Sequence, residues 1–76
     1  MKDFKKGQIW IAGWEYREDF ICVIIEARPD GTFLCNNIEN FDRTDSLRYN
    51  LEEQDLKKYL GNDLNEAKKN HSIYFI

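Results

Sequence analysis

The chain has one proline, four glycines, one histidine and two cysteines, and each scarcity closes off a class of protein. Glycine and proline this sparse exclude collagen-like and low-complexity chains. Cys22 and Cys35 have no paired CxxC spacing, so they make neither a zinc site nor a disulfide framework, and they read as two small buried residues in strands. The single histidine, His71, follows a helical segment and reads as a helix C-terminal residue, where a positive ring is favoured. No stretch approaches the ~20 apolar residues of a membrane span. The opening MKDFKKGQIWIAGW has lysines without an apolar core of signal-peptide length. There is no excess of basic charge. The net charge of −3 argues against a general nucleic-acid binder. Ser46 and Ser72 lack nucleophile-elbow context, neither cysteine has a nameable base, and no glycine-rich phosphate loop occurs. The expectation from these absences is a cytoplasmic, non-catalytic protein with no cofactor, no metal and no membrane.

What is present is aromatic residues and short apolar runs. The 76 residues fit one domain, 1–76, near the size at which one core suffices, and eleven aromatic residues supply buried area. The densest apolar stretch is Phe20 to Ile38, FICVIIEARPDGTFLCNNI. It reads as two strands joined at Arg28-Pro29-Asp30-Gly31. Proline, aspartate and glycine in that order predict a type I turn closed by a glycine bulge. This register sets Ala27 opposite Phe33, Ile25 opposite Cys35 and Val23 opposite Asn37. Ile21, Val23, Ile25, Ala27, Phe33 and Cys35 then form the core face. Cys22 and Cys35 fall on opposite faces, unable to form a disulfide.

Gln8 to Trp14 reads as the first strand, with Ile9 and Ile11 on one face and Trp10, Ala12 and Trp14 on the other. Gly13 marks a bulge or bend. Glu15 to Asp19, EYRED, is a charged connection. Glu39 to Ser46 reads as a loop, and Leu47 to Tyr49 as a short strand. Six acids and two arginines between Glu39 and Asp55 leave a local charge of −4, without the spacing of a calcium loop. Asn50 with Glu53 resembles a capping box and Gly61 a stop, which predicts a helix with Leu56, Tyr59 and Leu60 as its apolar stripe. Asp63 and Glu66 predict a second helix, Leu64 to Asn70, and Ser72 to Ile76 reads as a closing strand.

This order predicts a mainly β fold, a small SH3-like β-barrel with one or two short helices before the last strand. An open antiparallel α+β sheet with one packed helix is the alternative. The opening FKKGQIW, Phe4 to Trp10, resembles the start of many small SH3-like barrel proteins, a glycine followed by an apolar strand. The aromatic-acidic motif of eukaryotic SH3 domains is missing.

The candidate site is an aromatic cluster, Trp10, Trp14, Tyr16, Phe20 and Phe41, beside Glu15, Glu18, Asp19 and Asp42. Tryptophan and tyrosine favour interface hot spots, and acids among rings suit a basic or proline-rich peptide or a caged cation. The leading expectation is a small protein-interaction module or inhibitor, binding through this patch or a sheet edge. A regulatory, phage or mobile-element accessory protein would fit. The alternatives are a nucleic-acid-binding barrel, using Lys2, Lys5, Lys6 and Arg17 or Lys57, Lys58, Lys68 and Lys69, and a homo-oligomeric subunit or homodimer. The self-contact would use Phe20, Cys22, Ile24, Leu34 and Ile38.

Overall fold

A computed structural model describes residues 4–38 and 48–75. The fold is mainly β: five antiparallel strands in the order β4-β3-β2-β1-β5. They are β1 (Ile9–Trp14), β2 (Arg17–Ala27), β3 (Thr32–Asn37), β4 (Arg48–Glu52) and β5 (Leu56–Gly61), followed by one α-helix, α1 (Leu64–Asn70). A 3-10 turn, Glu53–Asp55, joins β4 to β5, and a second, Ser72–Phe75, follows α1.

The connection from β4 to β5 dictates the shape. These are the two edges of the sheet. Held flat, the outer strands of such a sheet would lie about 19 Å apart at ~4.8 Å per interval, whereas a three-residue 3-10 turn rises only about 6 Å. The sheet therefore curls until its edges approach. No ladder joins β4 to β5 among the described residues, so the sheet is curled but not closed.

Curling separates an inner from an outer face. The inner core holds Trp10, Ala12, Cys22, Ile24, Phe33, Cys35, Leu51 and Leu56. Its middle is built of small residues: Ala12, Cys22 and Cys35 are all 0 % exposed. Large rings fill the two ends. Phe4 lies 5.3 Å from Trp10 and 4.6 Å from Phe33 between centroids, and at the other end Trp14, Phe20 and Tyr49 pack together. The outer face, Ile9 and Val23 with Ile11, Ile21 and Ile38 beside them, packs with Leu60 and is covered by Ala67, Leu64 and Phe75.

The β2–β3 turn forms as its residues predict. Gly31 has φ +91°, its N–H donates to the Arg28 carbonyl at 3.2 Å, and the Arg28 N–H donates to the Thr32 carbonyl at 2.9 Å. Asp30 accepts from both the Thr32 hydroxyl and its N–H, which holds the Asp30 carboxyl below its ordinary pKa. Ala27 pairs with Phe33 as expected, but a second irregularity at Ile25 then resets the register, pairing Ile24 with Cys35 and Val23 with Asn36. A one-residue slip exchanges faces. Cys22, Ile24 and Cys35 thus share the inner core, while Ile21 and Val23 belong to the outer one. The expected opposition of the cysteines is wrong. Both are free thiols, packed side by side. The Cys22 S–H donates to the Cys35 sulfur, which together with burial pushes the Cys22 thiol well above its usual range and holds Cys35 below its own. The expected self-contact face also dissolves, since Cys22 and Ile24 are buried inside while Ile38 packs on the outer face.

Two further expectations are corrected. The segment read as a helix from Asn50 is β4, the 3-10 turn and β5. The reciprocal carboxylate contact exists two residues along, with the Glu52 N–H donating to Asp55 at 2.9 Å, and it organises a single turn. Tertiary pairing overrides helix propensity here, because β1 needs a second neighbour and β5 supplies it. With that edge taken, Ser72–Phe75 does not add a strand. It folds as a 3-10 turn, leaving Ile73 73 % exposed while Phe75 packs on the outer core. The one helix accordingly follows the last strand instead of preceding it. Helix α1 itself matches its predicted bounds, and the Asp63 carboxylate accepts the Glu66 N–H at 2.8 Å.

α1 approaches β5 at Gly61, where an added Cβ would lie 2.9 Å from the Ala67 nitrogen and 3.2 Å from the Glu66 Cβ. Gly61→Ala is expected to destabilise the protein by about 1–3 kcal/mol, the range for overpacking a tight contact, measured as a lowered urea midpoint. The thiols should behave as inert core groups. Labelling of Cys22 and Cys35 by a thiol reagent at neutral pH should be slower in the native state than in denaturant by a factor on the order of 10³ or more. Labelling of either cysteine in the native state at near the denatured rate would contradict this packing.

Candidate functional site

The β1–β2 connection is shorter than the sequence suggests. Only Glu15 and Tyr16 form it, and Arg17, Glu18 and Asp19 already belong to β2. The strands pair Trp14 with Arg17 and Ala12 with Phe20, so Gly13 stands opposite two residues of β2, Glu18 and Asp19, and the extra residue of the bulge lies on β2 across from Gly13. That bulge admits Asp19. A Cβ on Gly13 would lie 2.3 Å from the Asp19 Oδ1. The same carboxylate oxygen accepts from the Lys57 Nζ at 2.7 Å, so its charge is matched locally.

At this end of the curled sheet three rings meet. The centroids of Trp14 and Phe20 are 5.9 Å apart, those of Phe20 and Tyr49 5.2 Å, and those of Trp14 and Tyr49 6.0 Å. The Arg17 guanidinium lies among them, 4.4 Å from the Phe20 centroid, 5.1 Å from Tyr49 and 6.0 Å from Trp14. These distances are within cation–π range. The Arg17 Nε is buried without a hydrogen-bond acceptor, and no carboxylate pairs with Arg17 among the described residues. Glu15 and Glu18 are exposed. The ring set is thus a cation cage already occupied by a side chain of the same protein.

The structure divides the sequence-derived candidates. Trp14 and Phe20 form the cage. Tyr16 stands beside it at the turn, 89 % exposed. Trp10 is elsewhere, buried between Phe4 and Tyr59, with its indole N–H donating to Gln8. Asp19 faces Lys57, and Phe41 and Asp42 lie outside the described residues. Sequence reasoning named Arg17 only for the nucleic-acid alternative and not for the aromatic cluster, and it missed Tyr49. The signal for Arg17 was its position three residues after Trp14, across a two-residue turn, which places the two side by side. Tyr49 offered no such signal, since it depends on β4 pairing.

Two adjoining clefts of about 390 and 400 Å³ open on the outer face, both bordered by Asp19, Phe20, Ile21 and Tyr74. The Lys58 Nζ lies 3.3 Å from the Tyr74 hydroxyl at this rim. Among the described residues no group of three or more His, Cys, Asp or Glu is placed to hold a metal ion, and no helix is long and apolar enough to cross a membrane. No protein-family model, curated protein or solved structure matches the chain.

Two opposing effects decide what Arg17 does for stability. Its ring contacts contribute about 0.5–2 kcal/mol, and leaving a buried donor unpaired costs about 1–3 kcal/mol. Arg17→Met, which keeps the aliphatic stem, is therefore expected to change unfolding free energy by less than about 1 kcal/mol in chemical denaturation. A loss several times larger would identify Arg17 as a structural residue.

Proposed function

We propose that this is a small non-catalytic protein-interaction module, regulatory or inhibitory in effect, whose contact centre is Arg17 in its cage with Tyr16 at the margin. The fold is read here as an SH3-like barrel left open between β4 and β5. Its strand order and the 3-10 turn between its edges support that reading. The observation that carries the functional reading is the guanidinium held across three rings with no anionic partner among the described residues. Aromatic residues and arginine are the types that dominate binding hot spots. An arginine whose plane is fixed in advance loses less freedom when it meets a planar oxyanion. The cage therefore does not await a basic peptide. It presents a cation, and the partner group it suits is a carboxylate, from an acidic side chain or a chain terminus, flanked by an apolar residue that can lie against Tyr16 or Trp14.

The nucleic-acid alternative uses the same guanidinium against a phosphate, and salt separates the two. The test is to pan a random peptide library against the immobilised protein and against Arg17→Met, with a parallel arm offering mixed single-stranded oligonucleotides at low and high salt. Enriched peptides should carry Asp or Glu beside an aromatic or aliphatic residue and should bind the variant at least about tenfold more weakly, as loss of a hot-spot residue implies. Equal enrichment on both proteins would remove Arg17 from the site. Oligonucleotide binding that collapses with salt, without peptide enrichment, would replace the peptide reading with the phosphate one.

A further inference from the structure

β4 is an edge strand, paired with β3 on one side only among the described residues. Its side chains alternate cleanly: Arg48, Asn50 and Glu52 are exposed, Tyr49 is half-buried and Leu51 is buried. Its backbone alternates as well. The Glu52 N–H donates to the Asp55 carboxylate at 2.9 Å, so it points away from β3. In an antiparallel ladder every second residue shares that direction, which turns the N–H and C=O groups of Asn50 and Arg48 outward too. The Asn50 side chain is held back from the edge, since its Oδ1 accepts from the Arg28 Nη1 at 2.8 Å. Neither Arg48 nor Glu52 has an ion-pair partner among the described residues, and the Glu52 carboxylate accepts from the Asp55 N–H in the capping box.

Read against a reversed copy of itself, Arg48-Tyr49-Asn50-Leu51-Glu52 is self-complementary in charge. With Asn50 opposite Asn50, each Arg48 faces a Glu52, twice over, and each Tyr49 faces a Leu51. The alternatives are worse. A slip of two residues brings Arg48 or Glu52 opposite Asn50 and loses both charge pairs. A slip of one residue sets outward-facing groups against inward-facing ones. An arrangement in which the same patch meets itself about a two-fold axis is also the commonest closed symmetry.

We infer that β4 pairs antiparallel with β4 of a second copy of this chain, about a two-fold axis through Asn50, joining two sheets into one. The contact shares Tyr49 with the Arg17 cage, but it uses the backbone edge of β4 and does not need Arg17. It is small. The outward groups of three residues take part on each side, and one of their donors, the Glu52 N–H, is already engaged by Asp55. Such a contact falls below the size of a stable interface and makes a weak dimer, formed at high protein concentration.

The experiment is sedimentation equilibrium of the whole protein from about 10 μM to 1 mM, spanning the range in which weak contacts populate, with amide exchange of Asn50 followed by NMR over the same range. The wild type should move towards twice the monomer mass and the Asn50 N–H should exchange more slowly as concentration rises. Glu52→Arg, which turns both attractions into repulsions, should weaken association at least about tenfold. The exchanged pair Arg48→Glu with Glu52→Arg should restore it, with the amide spectrum confirming that both variants fold. A monomer throughout the range overturns the inference. So does a dimer indifferent to Glu52→Arg, or one that the exchanged pair fails to restore. Pairing of β4 with a foreign strand would appear as a persistently monomeric protein and counts against self-pairing.

Discussion

Everything in this protein answers to the tight curl that brings two sheet edges within reach of a three-residue turn. Curl of that degree leaves little room at the centre of the inner face, and the residues found there, Ala12, Cys22 and Cys35, are small. It leaves open ends, and those are stopped by rings: Phe4 with Trp10 and Phe33 at one, Trp14 with Phe20 and Tyr49 at the other. It also leaves the outer face with apolar residues to cover, which α1 and the terminal 3-10 turn supply. Strand twist and irregular register are how a sheet bends without breaking. Here the extra residues opposite Gly13, at Ile25 and along β5 place that bending in β2 and β5.

What the amino acids announce locally, they deliver. Arg28-Pro29-Asp30-Gly31 contains its own φ preferences and side-chain acceptor, and Asp63 carries its own cap, so both appear as read. The misread segments are those whose state is decided by distant partners. Ile25 looks like any strand residue, yet the irregularity there settles which face each cysteine occupies. Nothing in its neighbours signals it, because a bulge is set by the need to bend the whole sheet. Leu56, Tyr59 and Leu60 also satisfy a helical stripe. They lie in strands because Leu56, Lys58 and Tyr59 find a free edge on β1, a fact about topology and not about the segment. Once β5 occupies that edge of β1, the segment Ser72–Phe75 folds as a 3-10 turn, with Phe75 packed on the outer core.

The cysteines illustrate how one conclusion can survive the loss of its premise. Geometry was expected to keep them apart, and instead they pack together as thiols. Their type is explained by volume. In a core drawn this tight, cysteine serves as a small apolar filler whose S–H can donate to a neighbour. Cys22, held above its ordinary pKa, is a poor nucleophile, while Cys35 is shifted the other way and is shielded by complete burial.

The candidate site was legible as composition and not as arrangement. Rings and acids around Trp14 suggested an empty cage awaiting a cation. In the fold, one acid, Asp19, is matched by Lys57, and the cation among the rings is Arg17. The exchange reverses the chemistry of the surface. Rings with a negative face attract a cation, but a cage already filled by a tethered guanidinium offers positive charge outward. The tether keeps it at high effective concentration, so a free ammonium ion would have to displace a group that cannot diffuse away. A carboxylate has no such competitor. Under the proposed function it would approach Arg17 beside the aromatic area that Tyr16 exposes to water.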